Sequence, residues 1–512
     1  MPAAPSEPEK YSIDEMMDRL QPKTEADATA EGELVTRPDG TQVVRVRKRK
    51  RRSNQPHKEK AARSQKSKII QLSAVLILLI LVALLFGGAV IYTNSPPFRE
   101  NVVKKIATAT GAKVDLMQFR MNPLSANAGY MILEWPEGNV LKEFKLQSPR
   151  AKVYPSSIFG GVLAGEEVTA GSGRLQFRIP DSSQPSRAVE RVSGALPVNF
   201  KRIGVNKLNV SLGEDRRKLF NLHETEGSFY LSNVNSRPEL RLNRGNLQIS
   251  GWPALRMDRA FIEFRGQETD VISMRLLHEK DDGGIFILSG TILPFSAGKE
   301  SVLLAQMESF QIAGIAGPLM ARFLNGKIDS KSGENPGSLV FSPADPESGT
   351  LTVPFQTTLN SYLQLSGFSF LNGLAQTLED KWFESPLFEQ DSSGILERSA
   401  GAVQIRDIYV ESKGRLSITG DVRIDGDKRL SGELHVGVAS AMIAASPTRR
   451  LDAMFSEDRG GFRWIKLTLS GSAAAPKDNF SDLFRKVETT SRAPNDTTKP
   501  SPPSFEELTK PR

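Results

Sequence analysis

The chain has 512 residues and contains no cysteine, which excludes a disulfide framework, a thiolate zinc site and a cysteine nucleophile. Its length admits roughly two to four ordinary domains or one long repetitive one. The formal charge of +8 is local: residues 1–44 carry ten acids and four bases, residues 45–68 twelve bases and one acid, and the rest is near neutral at +3, so a basic patch running through the whole chain is excluded.

Residues 1–68 read as a disordered cytoplasmic segment, because acidic, Pro-, Ala- and Glu-rich sequence has little to bury. One island, "YSIDEMMDRL", departs from this. Ser12 and Glu15 have capping-box spacing, and Ile13, Met16, Met17 and Leu20 fall at i, i+3, i+4 and i+7, which predicts a helix over 12–20. It is too short to persist alone; it is either a docking motif for a cytoplasmic partner or an idle amphipathic stretch. The basic run over 45–68 opens with Arg45, Arg47, Lys48, Arg49, Lys50, Arg51 and Arg52. It matches a nuclear-localisation pattern, but beside an apolar span it reads first as a topology determinant and a contact for anionic lipid.

"IIQLSAVLILLILVALLFGGAVIYT", residues 69–93, holds no charge. As a helix it reaches about 37 Å, enough to cross a hydrocarbon core of about 30 Å. Bases cluster on its N-terminal side, so the positive-inside rule puts the N-terminus in the cytoplasm and residues 94–512 outside.

Beyond the span, Ser95, Pro96 and Pro97 signal a helix that carries Phe98, Val102 and Ile106 on one face and stops at Gly111. Alternating runs follow over 173–180, 207–212, 238–251, 259–266, 271–277, 416–438 and 464–471, the pattern of antiparallel sheet with one greasy face. A motif of alternating apolar residues closing on Ser or Thr and then Gly recurs at Gly251, Gly290, Gly420 and Gly471. Two helices interrupt the strands: 317–326, starting at Pro318 and ending at Gly326, and 370–383, with Leu371, Leu374, Ala375, Leu378 and Trp382 on one stripe. Such short helices cover little of a sheet of about twenty strands spaced about 4.8 Å apart. Residues 488–512 are rich in Pro, Thr and Ser and read as a disordered tail.

The hairpin "LSITGDVRIDGDKRLSGELHVGV" is the clearest case. Leu416, Ile418, Val422, Ile424, Leu430, Leu434, Val436 and Val438 share one face around an Asp425-Gly426 turn. Either the sheet folds on itself or another substance occupies that face.

Chemistry-bearing motifs are missing. His57, His223, His278 and His435 have no ligand-spaced partner, and neither HExxH nor GxSxG occurs. "GGVLAG" (160–165) has phosphate-loop glycines, but Glu166 and Glu167 stand where Lys and Ser or Thr belong. "DGD" at 425–427 lacks the other calcium-loop ligands. No catalytic residue, metal site or cofactor is expected.

Three stretches resemble the AsmA-like family of membrane-anchored bacterial envelope proteins: "VVKKIATATGAKVDLMQF" with "PLSANAGYMILEWPEGN", "LKEFKLQSPRAKVYPSSIFGGVLAGEEVTAGSGRLQF", and "AGAVQIRDIYVESKGRLSITGDVRIDGDKRLSGELHVGV" with "WIKLTLSGSAAAPKDNF". The resemblance implies an elongated, twisted antiparallel β-groove over 94–487, with a C-terminal module from about 365. It implies that the eight hairpin residues line a lipid groove. The expected function is that of a non-enzymatic single-pass inner-membrane protein whose periplasmic groove binds or transfers phospholipid or glycolipid and supports outer-membrane assembly, with other envelope proteins as partners. A scaffold without lipid carriage is the alternative. An envelope enzyme and a eukaryotic type II protein glycosylated at Asn209 and Asn495 also stay open.

Overall fold

The computed structural model describes residues 33–36, 38–40, 42–45, 57–156, 162–179, 198–214, 217–231, 237–265, 268–280, 283–293, 299–331, 336–390, 392–447 and 450–491. Packing divides the chain into residues 1–82 and 83–512.

In the first unit, Glu33–Thr36 and Gln42–Arg45 form an antiparallel hairpin that pairs Leu34 with Val44 and Val35 with Val43. Two short β-prone runs, Leu34-Val35-Thr36 and Val43-Val44, on either side of Asp39-Gly40 are a hairpin signal inside a stretch expected to be without structure. Helix His57–Thr93 also starts earlier than residue 69, taking in the end of the basic run. Its Ser73–Thr93 portion is the single candidate membrane span among the described residues, consistent with a single-pass membrane protein. Arg45 ends a strand, whereas Arg47–Arg52 and the proposed docking residues Ile13, Met16, Met17 and Leu20 lie outside the described residues.

The second unit is mainly β. Helix Pro96–Thr110 follows the span, with Ser95 at its N-cap and Gly111, φ 67°, closing it through an N–H donated to the Ala107 carbonyl at 2.8 Å. One long ladder then runs Lys113–Met117, Tyr130–Glu134, Leu141–Gln147, Leu163–Phe177, Val198–Glu214 and Arg217–Tyr230. It continues through Leu255–Arg265, Glu268–His278, Ile285–Ile292, Ser301–Glu308, Gly337–Ser342 and Asp345–Gln356. Ser393–Ser399, Ala402–Ser412, Leu416–Ile424, Leu430–Ala439, Phe462–Ser472 and Ala475–Asp478 complete it. Local rings of pairing arise where two short strands share long neighbours: Glu239–Asn243 and Asn246–Ile249 both sit between Arg217–Tyr230 and Leu255–Arg265. The terminal strands of the ladder make no pair with each other among the described residues.

The ladder has one parallel joint, Leu163–Phe177 beside Val198–Glu214. Near its start, Gln118 and Ser148, both at φ 53°, break neighbouring strands at one level. The Gly129 N–H donates to the Met117 carbonyl there and the Ser148 N–H to that of Gly129. This crease separates a small core on the membrane side, built on Phe98, Val102, Leu116, Met121, Val153, Leu163 and Phe200, from the large core of the remaining ladder.

A branch leaves the ladder where Asp329 and Ser330 pair with Gln356 and Phe355. Strand Leu324–Ser330 also pairs with Tyr362–Leu365 and Phe310–Gln311. The helix expected over 317–326 is therefore corrected: the helix is Ala313–Met320, kinked at Gly317, and residues from Leu324 onward are strand. Gly326 sets this, because a Cβ there would lie 2.0 Å from the Tyr362 carbonyl oxygen, an approach only glycine allows. The 370–383 stripe is helical over Ser369–Leu378 and ends at Glu379, φ 55°; a 3-10 turn, Lys381–Glu384, follows. A further helix, Phe480–Ser491, was not expected and runs past the anticipated boundary at 488.

Candidate functional site

The hairpin register is the one its alternation predicts: Leu416 faces Val438, Ile418 faces Val436 and Ile424 faces Leu430. Its turn is longer than Asp-Gly alone. The Asp425 carboxylate accepts the Arg429 N–H at 2.9 Å, and the Lys428 N–H donates to the Asp425 carbonyl. All eight groove candidates, Leu416, Ile418, Val422, Ile424, Leu430, Leu434, Val436 and Val438, are between 0 and 5 % exposed. They belong to one continuous apolar core with Leu371, Leu374, Phe383, Phe388 and Phe455 from the helices and branch. Each such side chain contributes about 1.5–3 kcal/mol by leaving water. An acyl chain reaching them would displace packed side chains rather than enter a furrow.

Two polar groups, the buried Arg398 and the half-buried Asp478, tie helices and turns to the ladder. Arg398 lies on the apolar face of its strand, donates to the carbonyls of Ile315 (2.6 Å) and Gly251, and stacks over Trp252 at 5.4 Å. Burial pulls its guanidinium down to about 10, still well above neutral pH, so the cation persists. It ties the kinked helix and the 251 turn to the ladder through two backbone carbonyls and the Trp252 ring.

Asp478 caps two helices with one carboxylate, accepting N–H groups from Phe370 at 2.9 Å and Phe480 at 3.1 Å. Burial raises its pKa above 3.8, against the pull of these bonds. Replacing Asp478 by Ala is expected to cost about 1–3 kcal/mol, since two helix starts lose an acceptor. A thermal melt of the full chain followed by tryptophan fluorescence checks this. Because the folded carboxyl holds its proton more tightly than the unfolded one, its contribution falls as pH rises through the window just above 3.8. Asp478→Asn removes that dependence.

Where helix His57–Thr93 ends, its last residue and Asn94 are clamped to the ladder. Asn94 Nδ2 donates to the Met121 carbonyl at 2.7 Å, and the Met121 N–H donates back to Asn94 Oδ1 at 3.1 Å. The Thr93 hydroxyl, wholly buried, donates to the same carbonyl at 3.0 Å. The last turn of helix Pro96–Thr110 is held by Trp135 Nε1, which donates to the Thr110 carbonyl at 2.9 Å.

Sequence reasoning passed over Asn94, Arg398 and Asp478. Arg398 had a signal, since Gly394, Leu396 and Arg398 alternate onto the buried face. Asp478 had a cap-type position before Phe480, Leu483, Phe484 and Val487 at helical spacing. Nothing in the sequence tied Asn94 to a strand 27 residues away. Among the described residues no three His, Asp or Glu side chains converge in metal-binding fashion. Comparison of the chain with protein-family models, with curated proteins and with solved structures finds no match in any of the three.

Proposed function

We propose that this chain is a non-enzymatic, single-pass protein of the bacterial inner membrane, its N-terminus cytoplasmic and its β-ladder periplasmic, that serves as a membrane-tethered scaffold in envelope assembly. The observation that carries this reading is the dryness of the 416–438 face: side chains at most 5 % exposed in one continuous core behave as a structural interior. Basic residues N-terminal to the span and the AsmA-like stretches support the envelope setting.

Lipid binding or transfer is the second reading, and a particular observation favours it. The apolar face continues along the ladder, and Phe177, Phe220, Phe229, Ile262, Phe264 and Phe341 on it are only partly buried. These positions suit acyl chains better than the hairpin does, at about 0.8 kcal/mol per CH₂ removed from water.

One experiment separates the two. The full chain is reconstituted in vesicles containing a trace of phospholipid with a diazirine in its acyl chain, irradiated and mapped by peptide mass spectrometry. Adducts confined to residues 73–93 and the membrane-proximal turns are expected of a scaffold. Adducts on the strands bearing Phe220, Ile262 or Phe264 would replace it with lipid carriage.

A further inference from the structure

The clamp at Met121 fixes where one end of the ladder stands. The 21-residue segment Ser73–Thr93 spans about 31 Å as a helix, close to the roughly 30 Å of hydrocarbon. Thr93 and Asn94 therefore stand at the boundary between acyl chains and headgroups. Met121, hydrogen-bonded to both, stands there too.

Three residues on from Met121, at most about 11 Å along the chain, Leu124 is 63 % exposed. It sits on an ordered turn: Asn122 Oδ1 accepts the N–H groups of Leu124 and Ser125, and the Asn122 N–H donates to the Ser125 carbonyl. Two more exposed apolar residues lie at the same end of the sheet. The Val153 N–H donates to the Leu124 carbonyl and the Tyr154 N–H to that of Ala164, so Tyr154 follows the residue bonded to Leu124, and Val162 lies two residues before Ala164 at the same end of the sheet, each 36 % exposed. Single exposed apolar residues are ordinary on any surface. Here all three lie at the end of the sheet to which the last turn of the span is hydrogen-bonded, next to a headgroup layer several ångströms deep.

A basic recess adjoins this tip. Arg120 and Arg150 flank Asn127 in register on neighbouring strands. They line a depression with Gln118, Phe119, Gly129 and Ser148, and no carboxylate is among its lining residues. A second depression on the same side puts Arg120 beside Asn94 and Asn122. Neither guanidinium makes an ion pair with a described residue.

We infer that this end of the ladder is a lipid-docking edge: Leu124, Tyr154 and Val162 enter the headgroup layer of the membrane crossed by the span, and Arg120 and Arg150 hold the phosphate of an anionic phospholipid. The edge rests on the single-pass reading and deepens it. A forked guanidinium matches a phosphate oxygen pair, and a tyrosine suits an interface with one wet and one apolar side. The consequence is a ladder held at a fixed height and orientation rather than swinging on its helix.

The absence of native cysteine allows clean single-cysteine probes in the full chain. Leu79→Cys, Leu124→Cys, Val162→Cys and Leu359→Cys are labelled with an environment-sensitive fluorophore in nanodiscs of phosphatidylcholine and phosphatidylglycerol carrying spin-labelled lipids. Leu79 reports the span, and Leu359, 87 % exposed, reports water. Shallow quenching at 124 and 162, deep quenching at 79 and none at 359 is the expected pattern. Quenching at 79 with a water-like signal at 124 and 162 overturns the docking edge and leaves the span standing. No quenching at 79 overturns both.

For the recess, native mass spectrometry of chains released from the same nanodiscs reads retained lipid. Each of Arg120→Gln and Arg150→Gln is expected to lower phosphatidylglycerol enrichment about fivefold. Unchanged enrichment in the double variant, or displacement of the lipid by millimolar inorganic phosphate, overturns the assignment to a headgroup.

Discussion

Leu434→Asp is expected to abolish the cooperative thermal transition of the β-ladder's C-terminal part. Leu434 is 1 % exposed, pairs across the ladder with Gly420 and Leu467, and lies in the large core. The cation on the apolar face, Arg398, is committed to the carbonyls of Ile315 and Gly251, so burial drives a carboxylate at 434 to protonate or the strand to leave. Either outcome costs about 4–5 kcal/mol or more, a large share of the stability of any domain. Leu434→Ala, which only opens a cavity, is expected to cost about 2–5 kcal/mol. Trp464 reports locally, since it pairs with Gly437 on the adjacent strand and donates its indole N–H to the Arg459 carbonyl at 3.0 Å. The result also decides between the two functional readings. In an open lipid groove the new carboxylate would be solvated in the lipid-free protein, at a cost below about 1 kcal/mol. A Leu434→Asp protein that melts like the parent would overturn the dry face and the scaffold with it.

What the sequence revealed follows from the range of the interactions that write it. The span, helix Pro96–Thr110 and the 416–438 hairpin were legible because each is set by residues within one element: an uncharged apolar run, a Pro start with a Gly stop, a period of two. The kinked helix was misplaced by four residues at its start because Pro318 is an ordinary first-turn residue locally, while the constraint that makes Leu324–Ser330 a strand is the Tyr362 backbone lying against Gly326. The cover of the hairpin was not legible for the same reason. Period two says that one face is apolar, whether protein or lipid lies against it, and only the convergence of Leu374, Phe388 and Phe455 on one core distinguishes them. Arg398 and Asp478 carried faint signals, a charge in a buried phase and a cap before an apolar stripe. The Asn94 clamp had none.

Gly420→Ala is expected to destabilise the ladder far more than Gly251→Ala, although both glycines close the same sequence motif. Gly420 lies inside a strand at φ 139°, and a Cβ there would sit 2.0 Å from the Glu433 carbonyl oxygen and 3.0 Å from the Leu434 Cα. Neither neighbour is a flexible side chain that can swing away; both are backbone of the paired strand. The adjoining bulge is tuned to this approach: Asp407, φ 50°, donates its N–H to the Asp421 carboxylate at 2.8 Å. Alanine must therefore push the Leu416–Ile424 and Leu430–Ala439 strands apart along the buried face, at roughly 3 kcal/mol or more from strain and lost packing. Gly251 has φ 74° but open space where a Cβ would go, so alanine meets only the backbone preference, about 1 kcal/mol. Melts of the two variants in the full chain measure the difference. Equal losses would mean that the motif's glycines serve a common backbone angle, and that close strand approach at 420 contributes little. A large gap assigns the motif two jobs, a turn at 251 and a tight crossing of strands at 420, and explains why one pattern recurs at irregular intervals along a single ladder.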